Sequence, residues 1–122
     1  MISGVVNAFR EAVIRIVVLD QLGEAHEFDA VVDTGFNGSL TLPMNKISDL
    51  NLTWRTRGSA IIANGTIDEC DIYYGIVMWD GHPQSILVEA ADTAPLVGMR
   101  LMTGYRIVID DVDGGQVTIQ TL

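Results

Sequence analysis

One cysteine, Cys70, is all that the 122 residues contain. An intrachain disulfide is therefore excluded, as is any metal cluster built on cysteines, and Cys70 itself reads as a small packed apolar residue. Cations are also scarce. Seven Lys and Arg stand against sixteen Asp and Glu, a formal net charge of −9. Phosphate recognition depends on clustered basic residues, so no nucleic-acid partner is expected. The acidic surplus reads chiefly as a solubility feature, with weak steering of cationic substrates. Although 48% of the residues are hydrophobic, no apolar run approaches the ~20 residues of a membrane helix. The expectation is a soluble chain with no membrane partner, whose apolar surplus self-association would cover. No basic stretch near Met1 leads into a long apolar segment with a small-residue cleavage site. No secretory signal is read, and a cytoplasmic location is expected.

Several chemistries lack their residues. There is no glycine-rich phosphate loop and no Gly-x-Ser-x-Gly elbow. His26 and His82 have no metal-ligand spacing, and each lies near a predicted turn. Asp111-Val112-Asp113-Gly114 opens like a calcium loop, but its twelfth position is Leu122, where a bidentate Glu is required. No metal and no cofactor are expected.

What is present is a succession of short apolar segments with turn signals between them, which predicts one all-β domain spanning residues 1–122. Strands are expected at Val5 to Phe9 and Ala12 to Leu19, the second covered on both faces because its apolar residues are nearly continuous. Asp20 to Glu24 forms a hairpin loop, and the return strand carries Phe28 toward Val31, Val32 and Asp33. Leu40 to Leu42 follows. Pro43 then opens a helix through Ile47 and Leu50. Ser59 to Ala63, Asn64-Gly65 and Thr66-Ile67 read as strand, turn and strand. Further strands are expected at Ile72 to Trp79 and Ser85 to Val88 around Asp80-Gly81. The last pair is Tyr105 to Ile109 and Gln116 to Ile119, around Asp113-Gly114-Gly115. Arg100 to Thr103 suggests a second brief helix. Trp54 and Trp79 read as core or interface residues. Asp68, Glu69 and Asp71 read as the polar side of a hairpin.

The most informative stretch is Ala30-Val31-Val32-Asp33-Thr34-Gly35-Phe36. A carboxylate ending so apolar a segment is expensive to desolvate without hydrogen bonds or a role. Gly35 allows close backbone approach, and Thr34 places a short donor and acceptor beside the acid. About sixty residues on comes Leu96-Val97-Gly98, a second apolar pair closed by glycine and the sole hint of an internal repeat. Together these segments resemble the retropepsin-like aspartic peptidases, in a prokaryotic branch with Asp-Thr-Gly-Phe. The resemblance runs from about Val5 to Ile119. Phe36 stands where better-known members have a small residue, and Met99 separates Gly98 from Arg100 where they have Arg directly.

The resemblance implies a retropepsin-like acid protease barrel with one or two short helices, active as a two-fold homodimer. Asp33 would be the catalytic acid, supported by Thr34, Gly35, Leu96, Val97 and Gly98. The turn at Ala63, Asn64 and Gly65 would be the flap that covers a peptide or protein substrate. Hydrolysis by carboxyl groups uses two that share a proton, and a chain of this length offers one, so each subunit would supply one Asp33. The chain ends around Val5 and Val117 to Ile119 would help form the interface. Two other readings stay open: the same dimeric fold binding a peptide or protein without cleaving it, and an unrelated β domain carrying the tripeptide by accident.

Overall fold

The computed structural model describes residues 1–61 and 67–122. The chain runs β1 (Ile2–Val6), β2 (Ala12–Leu19), β3 (Ala25–Val32), β4 (Leu40–Leu42), α1 (Met44–Leu50), β5 (Trp54–Ile61), β6 (Ile67–Trp79), β7 (His82–Ala90), β8 (Leu96–Val97), β9 (Tyr105–Ile109) and β10 (Gln116–Thr121). Strands make up 55% of the residues, an all-β domain with one short helix. The predicted turn at Ala63, Asn64 and Gly65 lies outside the described residues.

Side-chain alternation sets the inside of β2. Ile14, Ile16 and Val18 are at most 2% exposed, whereas Val13, Val17 and Leu19 are half-buried and Arg15 is exposed. The expectation of cover on both faces is corrected here: one face packs into the core, and on the other Arg15 sits near Glu27 and Asp29 of β3. The inward residues meet Leu40, Leu42, Val77, Val88 and Val97, all fully buried. Each such side chain contributes roughly 1.5–3 kcal/mol.

Six strands close on themselves. β2 pairs with β3, β3 with β8, β8 with β4, β4 with β7, β7 with β6, and β6 returns to β2 through Val17↔Met78 to Leu19↔Ile76. Two strands divide an edge between neighbours: β2 gives Ala12 to Ile14 to β1 and Val17 to Leu19 to β6, and β6 gives Ile67 to Tyr73 to β5. From β1 the sheet continues through β10 to β9, where it ends. The β6–β7 hairpin turns at Asp80 and Gly81, with φ of 51° and 81°, the left-handed pair that a two-residue hairpin demands.

The helix expectation holds once. Pro43 caps α1, Ile47 and Leu50 turn inward three residues apart, and Asn51 ends it in the left-handed region at φ 52°, a conformation Asn tolerates. The second helix does not form. Residues 99–104 are turn, held by bonds from Thr103 N to Arg100 O and from Tyr105 N to Met102 O.

Three further expectations shift. β1 ends at Val6 instead of running to Phe9, because Asn7 Oδ1 accepts from Phe9 N and Glu11 N and bends the backbone. β5 begins at Trp54, five residues before the expected Ser59. Trp54 is an exposed surface residue whose Nε1 donates to Asp71, while Trp79 is core and packs edge-on against Tyr105. The chain ends are not open edges. β1 lies between β10 and β2, β10 between β1 and β9, and Val117 and Ile119 are fully buried. Val5 and Val117 to Ile119 are each paired on both sides among the described residues.

Candidate functional site

Strand β3 delivers Asp33. Its last residues, Val31 and Val32, pair in parallel with Leu96 and Val97 of β8, so the two apolar-apolar segments lie side by side. Asp33 N continues that ladder by donating to Val97 O at 2.9 Å. The strand then breaks because the carboxylate folds back: Asp33 Oδ1 accepts from Gly35 N at 2.9 Å, and Phe36 N donates to Asp33 O. An Asx-type turn of this kind fixes one carboxylate oxygen on the backbone and leaves the other available. Asp33 is half-buried, and Thr34 and Gly35 are exposed.

Behind the turn, Met99 N donates to Phe36 O at 2.8 Å, Gly98 N to Ser39 O at 3.0 Å and Arg100 N to Gly38 O at 3.1 Å. These bonds lash the Asp-Thr-Gly-Phe segment to the segment after β8. Gly98 is required by the crossing: a Cβ there would collide with the Gly38 carbonyl oxygen and lie 2.6 Å from Phe36 Cδ2 and 2.8 Å from Phe36 O. Phe36 thus fills the space above Gly98 and Gly38, which accounts for a large residue after Gly35. Below, Leu96 N donates to the buried Thr41 hydroxyl at 3.0 Å, tying β8 to β4. The structure therefore brings Asp33, Thr34, Gly35, Leu96, Val97 and Gly98 together; Ala63, Asn64 and Gly65 are outside the described residues.

Two hollows flank the turn. The smaller, about 420 Å³, is lined by Asp33 with Arg10, Glu11, Ile109 and Asp111. The larger, an open cleft of about 1540 Å³, passes Gly35, Phe36 and Gly38 and reaches Glu89 and the outward face of the β6–β7 hairpin. No family model, curated protein or solved structure matches this chain.

Sequence reasoning missed the acids around the turn. Glu11 reaches the recess because the Asn7 turn swings it there, and Asp111 arrives on the β9–β10 loop; neither has a local signature. Among the described residues no three acidic, His or Cys side chains are placed to hold a metal ion. Glu89 was missed for the opposite reason, since it occupies an apolar run. It lies opposite Ile72 on β7, with Cys70 Sγ 3.9 Å from its carboxylate. Cys70 is accordingly half-buried beside an acid, not packed in the apolar core. Burial pushes the Glu89 carboxyl above its ordinary value, and the thiol opposes this weakly. A carboxyl raised in the folded state binds its proton more tightly than in the unfolded chain. It therefore costs stability as pH rises past the ordinary carboxylate range. Glu89→Gln is expected to melt higher than the parent at neutral pH, with the gain vanishing below about pH 4. Thermal unfolding at both pH values checks this; an equal gain at both would mean that the charge is not its cause.

Proposed function

We propose that the protein is an aspartic endopeptidase of retropepsin type, formed as a two-fold homodimer in which each chain supplies one Asp33. The observation that carries this reading is the Asp33 turn: a carboxylate at the end of β3, one oxygen held by Gly35 N, locked from behind by β8 and Gly98. Such a turn presents a carboxyl group in one orientation without burying it, as proton transfer to and from a bound water requires.

In the singly protonated pair, the ionised Asp33 takes a proton from water while the protonated partner polarises the scissile carbonyl. The attacking oxygen and the departing amine then exchange protons with the same two groups. In this reading the exposed Thr34 holds the two turns against each other across the axis, and a peptide binds as an added strand through its backbone. Hydrolysis peaks on the acidic side of neutrality, because both fully ionised and fully protonated pairs lack one of the two roles.

The test is hydrolysis of a mixed peptide library between pH 3 and 8, with and without an inhibitor that mimics the tetrahedral intermediate. Inhibitor-sensitive cleavage with an acidic optimum supports the reading. Absence of cleavage over the whole range, with retained peptide binding, favours a module that binds without cutting.

A further inference from the structure

The sheet has two ends, β5 and β9, and they are differently protected. β5 carries the exposed cations Arg55 and Arg57, and Arg57 is already engaged with Glu69 and Asp71 across the hairpin. Charged side chains of this sort discourage a further strand. β9 is built otherwise. Its sequence, Tyr105-Arg106-Ile107-Val108-Ile109, is β-branched at three successive positions, with Val108 43% and Ile109 41% exposed. Asp110 N donates to Gln116 O. Because antiparallel partners alternate, Arg106 and Val108 bond to β10 and the N–H and C=O groups of Ile107 and Ile109 point away from the sheet. The edge is thus apolar and extended, and among the described residues no strand lies beside its outward backbone groups.

What could cover it is written in the residues themselves. Arg106, Val108 and Asp110 share one face of the strand, and neither Arg106 nor Asp110 has an ion-pair partner among the described residues. Laid antiparallel against a copy of itself about Val108, the segment places Arg106 opposite Asp110 of the other copy, and Ile107 opposite Ile109. The same residues meet in reverse on the far side of the axis, as a two-fold interface requires. A register shifted two residues one way sets Arg106 against Val108, and shifted two the other way it sets Arg106 against Val112; in neither does Arg106 meet Asp110.

We propose that β9 is the dimerisation edge, with two chains joined by antiparallel β9–β9 pairing centred on Val108 into one continuous sheet. The occupant is a second copy of this chain because the edge pattern is complementary to itself in charge and in backbone parity. The edge also adjoins the candidate site: Ile109 lines the recess that contains Asp33, so each recess would border the interface. That functional consequence rests on the paired-acid reading above, whereas the interface itself does not.

Sedimentation equilibrium on the full chain, with activity measured separately on the same samples, tests the proposal. Arg106→Asp alone and Asp110→Arg alone each set like charges opposite one another at two symmetric positions. Each is expected to weaken dimerisation about tenfold or more. The double variant, with the pair reversed, restores it. Val108→Lys puts two cations on the axis and gives monomer at concentrations where the parent is dimeric; unchanged thermal unfolding of its monomer shows that the fold survives. A parent chain that remains monomeric at high micromolar concentration overturns the proposal. So does a dimer indifferent to both single charge reversals, while leaving the paired-acid chemistry standing. Loss of cleavage on Asp33→Asn in an intact dimer bears on the chemistry and not on this edge.

Discussion

Replacing Asp33 by Asn is expected to lower peptide hydrolysis by at least about 10⁴-fold, the upper end of what one positioned acid or base contributes, because the proposed homodimer would lose both carboxyls at once. The fold should persist. Asn keeps the oxygen that accepts from Gly35 N, and the ladder from Asp33 N to Val97 O involves only backbone. Asn cannot ionise, however, so no general base remains for the water. Peptide binding measured by fluorescence anisotropy and the dimer constant from sedimentation should both be retained. Removal of two facing carboxylates would tighten the proposed dimer at neutral pH, where it would bring together two chains of −9 each. A variant that cleaves at the parental rate would take Asp33 out of the mechanism.

The second large effect is expected at Gly98. Ala there must displace the Gly38 carbonyl, the Phe36 carbonyl or both, and these are backbone atoms held by bonds from Arg100 N and Met99 N. Overpacking of this kind costs about 1–3 kcal/mol when side chains can yield, and here the obstacle is main chain. The upper end, about 3 kcal/mol, corresponds to a fall in Tm of roughly 10 °C for a domain of this size. The loss should be accompanied by loss of activity in the surviving folded fraction, since Gly98 anchors the loop that presents Asp33. Gly23→Ala supplies the contrast. Gly23 has φ 84° but nothing near its side-chain position, so the variant loses stability through backbone strain alone and should keep its activity per folded molecule. If Gly98→Ala melts with the parent, the close crossing of the two loops is not a constraint.

The sequence was legible where one physical signal acted alone. β2, β3, α1 and the β9–β10 hairpin follow from alternation, proline and glycine, and their positions were foreseen to within a few residues. Asp33 was legible because a carboxylate closing an apolar strand needs an explanation. The first half of β5 was hidden because Trp54 to Gly58 carry exposed arginines and no apolar alternation; the acids opposite were read as the polar side of a hairpin, and Glu69 and Asp71 do pair with Arg57 across it. β1 was misplaced because a single side chain, Asn7, redirects the backbone, an effect that hydrophobic periodicity does not register. The second helix failed because Thr103 hydroxyl bonds to the carbonyls of Met99 and Arg100 compete with helical ones. Which strands would be left as edges could not be read at all, since it depends on how β2 and β6 divide their neighbours.

The parallel pairing of Val31 with Leu96 joins residues 96 − 31 = 65 positions apart, and this bears on how the protein is made. Contacts of such range form slowly, because the intervening chain must be ordered before they stabilise anything. During synthesis the Asp-Thr-Gly turn leaves the ribosome long before β8 exists to lock it, so a nascent or prematurely terminated chain carries the acid without the site. Chains ending before Leu96 should therefore be inert toward peptides even at high concentration, and the rate at which newly synthesised protein gains activity should follow closure of this one short ladder, not completion of the β2–β3 hairpin.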